Sequence, residues 1–199
     1  VRHLILVAAG EELAQQAAAL KARFNNDFWL EEEAFYALAL AEDKKPLVTI
    51  TSNPGQALWT GIIDKEKTAF VVQRLLQEDI FSGWGIRTLS SQMPRYNPLG
   101  YHLGSVWSHD NSLIGMGFKR YGYEAELNRL ATAIYDCCRH FHYYRLPELF
   151  SGAPRHNHSQ PVPCPGACRP QAWAAGALLL FLQAILGLVP NAPAGELMI

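Results

Sequence analysis

Residues 107–118 read WSHDNSLIGMGF, and residues 123–141 read YEAELNRLATAIYDCCRHF. Past its polar start at His109, Asp110, Asn111 and Ser112, the first stretch is apolar all round. The second repeats Leu127, Leu130, Ile134 and Phe141 between Glu, Arg and Asp. A helix without a polar face needs cover on every side, whereas an amphipathic one can face water, so the pair reads as a buried helix followed by a wet one. The same contrast recurs along the chain. Residues 11–27 carry Leu13, Ala17, Leu20 and Phe24 at helical spacing, and residues 56–63 are short and apolar around Trp59. Residues 64–77 set Phe70, Val71 and Leu75 against Lys65, Lys67 and Arg74, and residues 171–188 are apolar throughout.

Six helices in strict alternation describe an all-α protein with an inner layer wrapped by an outer one, built from sequential hairpins, which is an α/α toroid. A closed ring takes six such pairs, or about 350 residues and more. The 199 residues are therefore expected to be one partial domain, residues 1–199, forming the C-terminal half of an (α/α)6 barrel with the N-terminal half upstream of Val1. The inner helices should be more buried on both faces than their partners. One small β-hairpin is expected as an insertion, with 35–40 and 47–50 flanking the polar turn at 41–46. Glu31, Glu32 and Glu33 read as a solvated run, and Asn53-Pro54-Gly55 as punctuation ahead of the second helix.

A formal net charge of -1 leaves no electrostatic footprint for nucleic acid. Residues 172–189 are the one membrane candidate, marginal in length and interrupted by Gln183, so no membrane is expected. The apolar stretch at 4–9 is too short, and too quickly followed by Glu11 and Glu12, for a signal peptide; a cytoplasmic location is the expectation. Adjacent Cys137 and Cys138 point about 100° apart on a helix and should not bridge. His156, His158, Cys164 and Cys168 supply zinc-type ligands in a short span, but the prolines at 161, 163 and 165 stiffen the path and the spacing matches no common zinc pattern, so neither a metal nor another cofactor is expected. Other α/α toroids, the terpene cyclases and prenyltransferases, need Asp-rich or zinc clusters that Asp110 alone does not supply. Five Trp, eight Tyr and nine Phe, many beside Gly, Asn, His and Asp in two long loops, 78–106 and 143–170, point to a site in those loops.

The loop strings are SGWGIRTLS (82–90), YNP (96–98), YHLGSVWSHDN (101–111), RLPELFSG (145–152) and PQAWAAG (170–176). In this order they resemble the C-terminal part of the glycogen debranching enzyme-like glycoside hydrolases, the amylo-α-1,6-glucosidase group related to mannosylglycerate hydrolase and glucoamylase. The resemblance covers most of residues 28–188. It implies a six-hairpin glycosidase barrel that hydrolyses an α-glucosidic bond with inversion, in a glycogen-type glucan or small α-glucoside, through one general acid and one general base.

The matching position for the base is Glu148, with Pro147 rigidifying the approach and Gly152 freeing the exit. Such a reaction needs a base that activates water on the far face of the sugar and side chains that grip hydroxyls. Trp84, Tyr96, Tyr101 and Trp107 offer flat faces for the C–H face of a pyranose, and Arg87, Asn97, His109 and Asp110 offer donors and acceptors for its edge. Trp59 and Trp173, set in apolar helices, read as packing. A helix N-terminus favours negative charge, so Asp110 suits hydroxyl binding or capping better than proton donation. No Trp-Met-Asp type motif occurs, so the resemblance implies that the acid lies upstream and that this chain supplies the base alone. The expected partner is a carbohydrate substrate, together with the missing N-terminal half-barrel or a second copy to cover the flanks of 11–27 and 171–188. The alternative from another class is a noncatalytic carbohydrate-binding or scaffold protein derived from such an enzyme.

Overall fold

The computed structural model describes residues 2–198, with side chains from residue 10 onward; the side chains of the apolar stretch 4–9 lie outside the described residues. It contains six α-helices: α1 (Arg2–Asp27), α2 (Asn53–Thr60), α3 (Lys65–Leu75), α4 (Ser108–Arg120), α5 (Glu124–Cys138) and α6 (Ala172–Leu186). Two-residue strands pair antiparallel as β1 (Trp29–Leu30) with β2 (Phe35–Tyr36) and β3 (Val106–Trp107) with β4 (Leu149–Phe150); β5 (Val189–Asn191) and β6 (Glu196–Met198) form a terminal hairpin. The fold is all-α, half of an (α/α)6 toroid.

Helices α2, α4 and α6 lie side by side with α4 in the middle, and α3 and α5 back them. Glycine is what lets α4 occupy that place. A Cβ on Gly117 would stand 2.7 Å from Leu58 Cβ and 2.8 Å from the Trp59 backbone nitrogen of α2, and one on Gly115 would stand 2.6 Å from the Phe181 ring of α6. Ile114 and Phe118 then fill the core between the layers with Leu58, Leu127, Leu130, Ile134 and Phe181. Proline in the first turn of α2 sacrifices an N–H that has no helical partner, so Asn53-Pro54-Gly55 opens the helix rather than preceding it. Gly61 and Gly187, both left-handed, close α2 and α6.

Several expectations need correction. The inner helices are not uniformly buried: α6 buries only Ala174, Ala177, Phe181 and Ala184, while Leu179 is 70% exposed and Leu182, Ile185 and Leu186 face outward, because α6 packs on α4 and α5 along one side only. Helix α5 is better covered. On α1 the stripe fails as well. Leu13 and Leu20 are exposed, and the helix meets the rest of the chain through its last turns, where Asn25 bonds the Ile62 carbonyl at 2.7 Å and the Asp64 amide at 2.9 Å. Phe70 is exposed and Trp59 is 42% exposed, so neither packs as its helix position suggests. The two-residue ladder joins 29–30 to 35–36 around the exposed Glu31, Glu32 and Glu33; the expected hairpin at 35–50 is reduced to a single bridge between Leu40 and Pro46. No helix among the described residues is long and apolar enough to cross a membrane.

Gly117→Ala should destabilise the chain by about 1–3 kcal/mol, because its methyl group meets α2 backbone that cannot swing aside. Leu179→Lys should stay within about 0.5 kcal/mol of the parent. Urea midpoints of the two variants check the pair.

Candidate active site

The first turns of the three inner helices open at one end, together with the two long loops. A cavity of about 920 Å³ lies there. Gln56 of α2, His109 and Asp110 of α4 and Trp173 of α6 line it, with Tyr101, His102, Trp107 and Arg95 from the long loop and Val48 and Thr49 opposite. Trp107 sits almost wholly buried at its floor, its indole N–H donating to the Tyr101 carbonyl at 2.9 Å and to Ser105 Oγ at 3.0 Å. Tyr101 meets the Trp107 ring edge-on at 4.7 Å, and His102 lies parallel to it at 5.4 Å. His109 stacks face to face with Trp173 at 4.0 Å. The wall is thus a continuous aromatic surface.

Glu148 reaches this surface because β3 pairs with β4 in the register Trp107 to Leu149. Its backbone N–H donates to the Cys168 carbonyl at 3.0 Å, so the carboxyl group is fixed from both ends. The Tyr101 hydroxyl donates to Oε1 at 2.6 Å and the Cys168 amide to Oε2 at 3.2 Å. These two donors, Tyr101 first, hold the carboxyl below the usual carboxylate range. Burial holds His109 below its ordinary value, against the opposing pull of Asp110 and Glu148, which keeps it neutral near pH 7. Asp110 accepts a hydrogen bond from the Gln56 side-chain amide through Oδ1, while its buried Oδ2 and the buried Nδ1 of His109 have no partner among the described residues.

Five of the nine residues singled out in the sequence therefore come together here: Tyr101, Trp107, His109, Asp110 and, at the edge of the cavity, Glu148. Four do not. Trp84 is buried on the far side of the loop, with the Arg155 guanidinium 4.2 Å over its ring and His140 edge-on to it. Arg87 is buried too: its Nε donates to the Gly152 carbonyl at 2.6 Å and one terminal nitrogen to the Glu78 carbonyl at 2.7 Å, so it ties loops together and offers nothing to a ligand. Tyr96 donates its hydroxyl to the Gly152 carbonyl at 3.1 Å, and Asn97 caps its own turn at the Leu99 amide. Gly152 does not free the exit. It is required because a Cβ there would collide with the Gly104 carbonyl, which locks the two loops.

The sequence reading missed Gln56, His102 and Trp173. Trp173 is half exposed over the cavity rather than packed. The available signal was positional: Gln56, Asp110 and Trp173 all stand in the first turn of an inner helix, and those turns share an end. Among the described residues no cluster of His, Cys, Asp and Glu could hold a metal ion.

The family described as the mannosylglycerate hydrolase MGH1-like glycoside hydrolase domain matches residues 6–151. The chain belongs to this family. Among solved structures, the mannosylglycerate hydrolase of Thermus thermophilus in complex with Tris and D-glycerate is 21% identical, with a TM-score of 0.66, over 87% of this chain and 38% of that one. The same enzyme in complex with glucose is 22% identical over 84% and 38%, at a TM-score of 0.62. The neutral trehalase Nth1 of Saccharomyces cerevisiae is 16% identical over 87% and 30%, at 0.63. The chain thus spans less than two fifths of the length of each of these structures. No curated protein matches it. What the chain shares with these structures is the fold, the (α/α)6 barrel.

Arg87→Leu should destabilise the chain by about 1–2 kcal/mol, because the Glu78 carbonyl loses its side-chain donor and the buried Gly152 carbonyl keeps only Tyr96; urea midpoints check it. Because the folded-state value of Glu148 is depressed, its stabilisation is fully present above the ordinary value of 4.5 and is lost as pH falls through the folded value. The wild type should therefore lose more stability on acidification than Glu148→Gln, which urea midpoints on either side of that range will show.

Proposed function

We propose that this chain supplies the base half of an inverting glycoside hydrolase acting on an α-glucosidic bond in a glycogen-type glucan or small α-glucoside. The observation that carries the reading is Glu148: a carboxylate held ionised by two donors at the edge of an aromatic-walled cavity. In such a mechanism one carboxylate takes the proton of the attacking water while a second carboxyl, roughly 6.5 to 9.5 Å away, protonates the leaving oxygen. Glu148 suits the first task and, being held below the usual carboxylate range, not the second.

The sugar would lie against Trp107 and Trp173, with Gln56, His109 and Asp110 at its hydroxyl edge. Glucose, bound by the Thermus enzyme named above, is a sugar of this class. The general acid comes from outside these residues, on an N-terminal half-barrel that would also cover the exposed apolar side of α6; closure by a second copy is the competing arrangement. A noncatalytic sugar-binding role, the second reading, draws on the same aromatic wall and differs only in turnover.

The chain by itself should leave an ordinary maltooligosaccharide intact, because losing general acid help costs about 10² to 10⁴ in rate. A glycosyl fluoride leaves with little protonation and should be turned over slowly, and Glu148→Gln should abolish that turnover. Robust hydrolysis of the maltooligosaccharide by the chain alone would place the acid within it, with Asp110 as the first residue to substitute. Sugar binding with no fluoride turnover would favour the noncatalytic reading.

A further inference from the structure

Tyr101 is half exposed and lies on the wall of the cavity, which makes it look like a group that touches sugar. Its polar contacts are already committed. The hydroxyl proton goes to Glu148 Oε1 at 2.6 Å, and the main-chain carbonyl accepts from Trp107 Nε1 at 2.9 Å and Ser105 Oγ at 2.7 Å. The ring stands perpendicular to both Trp107 and His102, with centroids 4.7 Å away in each case. An exposed tyrosine is thus held by its neighbours in one pose, with its only proton aimed at a carboxylate.

From this geometry, and resting on the base role proposed for Glu148, we infer that Tyr101 is a positioning residue: it fixes Oε1 while the Cys168 amide fixes Oε2, so that the carboxylate meets the water to be deprotonated in one orientation. A carboxylate has about four acceptor sites, and Tyr101 and the Cys168 amide take one on each oxygen. Without the hydroxyl, Oε1 would lose its shortest tie and the side chain could turn more freely about its last bond. Three elements present titratable groups to Glu148: Tyr101 from the long loop, Cys168 from the segment before α6, and His109 from the first turn of α4. Gln171 adds a neutral side-chain donor. Of these, Tyr101 is the strongest donor and the one that can be removed with the loss of a single oxygen.

The test uses the whole chain labelled with ¹³C at the Glu carboxyl carbons, the Glu148 signal being the one absent in Glu148→Gln. Tyr101→Phe should raise the pH midpoint of that signal, a change that loss of packing alone would not give. On a glycosyl fluoride the same variant should lose about tenfold in kcat, with KM held within about twofold. The reciprocal measurement leaves Tyr101 in place. The hydrogen bond to Glu148, ahead of burial and the Glu148 charge, holds this phenol above its ordinary value, so in Glu148→Gln one tyrosine should ionise at lower pH in an alkaline absorbance titration. An unchanged Glu148 midpoint in Tyr101→Phe, or an unchanged tyrosine titration in Glu148→Gln, overturns the inference while leaving the base role intact. Fluoride turnover that survives Glu148→Gln overturns the base role, whatever the titrations show.

Discussion

The closeness of α4 to the helices on both its sides is the constraint on which the rest depends. Gly117 meets α2 and Gly115 meets α6 at distances that exclude any side chain. A bulkier α4 would push the inner helices apart by about the width of a methyl group, and close-packed interiors do not absorb that without rearrangement. With the three helices in contact, their first turns lie within one cavity's width. Gln56, His109, Asp110 and Trp173 come from positions 56 to 173 and line the same space. Packing in the core thus sets the spacing of the site.

The loops are placed by a second device. Asn111, fully buried one turn into α4, accepts the Ile86 amide at 2.7 Å and donates to the Ile86 and Trp107 carbonyls, which seats the long loop on the helix. Arg87, next to Ile86, carries a buried charge that no carboxylate among the described residues bonds directly; its partners are main-chain carbonyls of Glu78 and Gly152. Burying a guanidinium is costly unless it is hydrogen-bonded, and here two of its nitrogens are bonded in a way that joins the two loops. Gly152 completes the lock by its contact with Gly104. Between these fixed points run β3 and β4, whose pairing brings Glu148 to the aromatic wall. A loop carboxylate gains a fixed pose in this way from groups that never meet the substrate.

What could be read in the sequence follows from which of these forces leaves a local pattern. The six helices were legible because hydrophobic period and capping are local, and each is found close to its expected span, α1 alone beginning well before it. Glu148 was found through the family resemblance that residues 145–152 help to carry, since a lone loop Glu reads by itself as a solvated residue, and Tyr101, Trp107, His109 and Asp110 stood out through one polar-aromatic string. Trp84 and Arg87 carry the same kind of signal, an aromatic or a cation among glycines and serines, yet both are buried. Whether such a residue faces the cavity or the back of its loop depends on contacts with residues more than 60 positions away, such as Arg155 and Gly152. The exposure of α6 escaped for the opposite reason. Composition shows that a helix has no polar face, but not how many neighbours cover it.

Glu148 is set up to carry charge, and this bears on how the chemistry is divided. A general acid must be protonated in the ground state, which calls for surroundings that penalise the anion: an apolar pocket or a nearby carboxylate. Glu148 has two donors on its oxygens. Asp110 stands in the first turn of α4, where the helix dipole favours an anion, and accepts from the Gln56 amide. The surroundings of Glu148 are not those that suit a proton donor. The wall facing them from 48 and 49 is made of Val and Thr and brings no third carboxyl group. On the reading proposed for Glu148, the proton for the leaving group must therefore come from a carboxyl group other than Glu148.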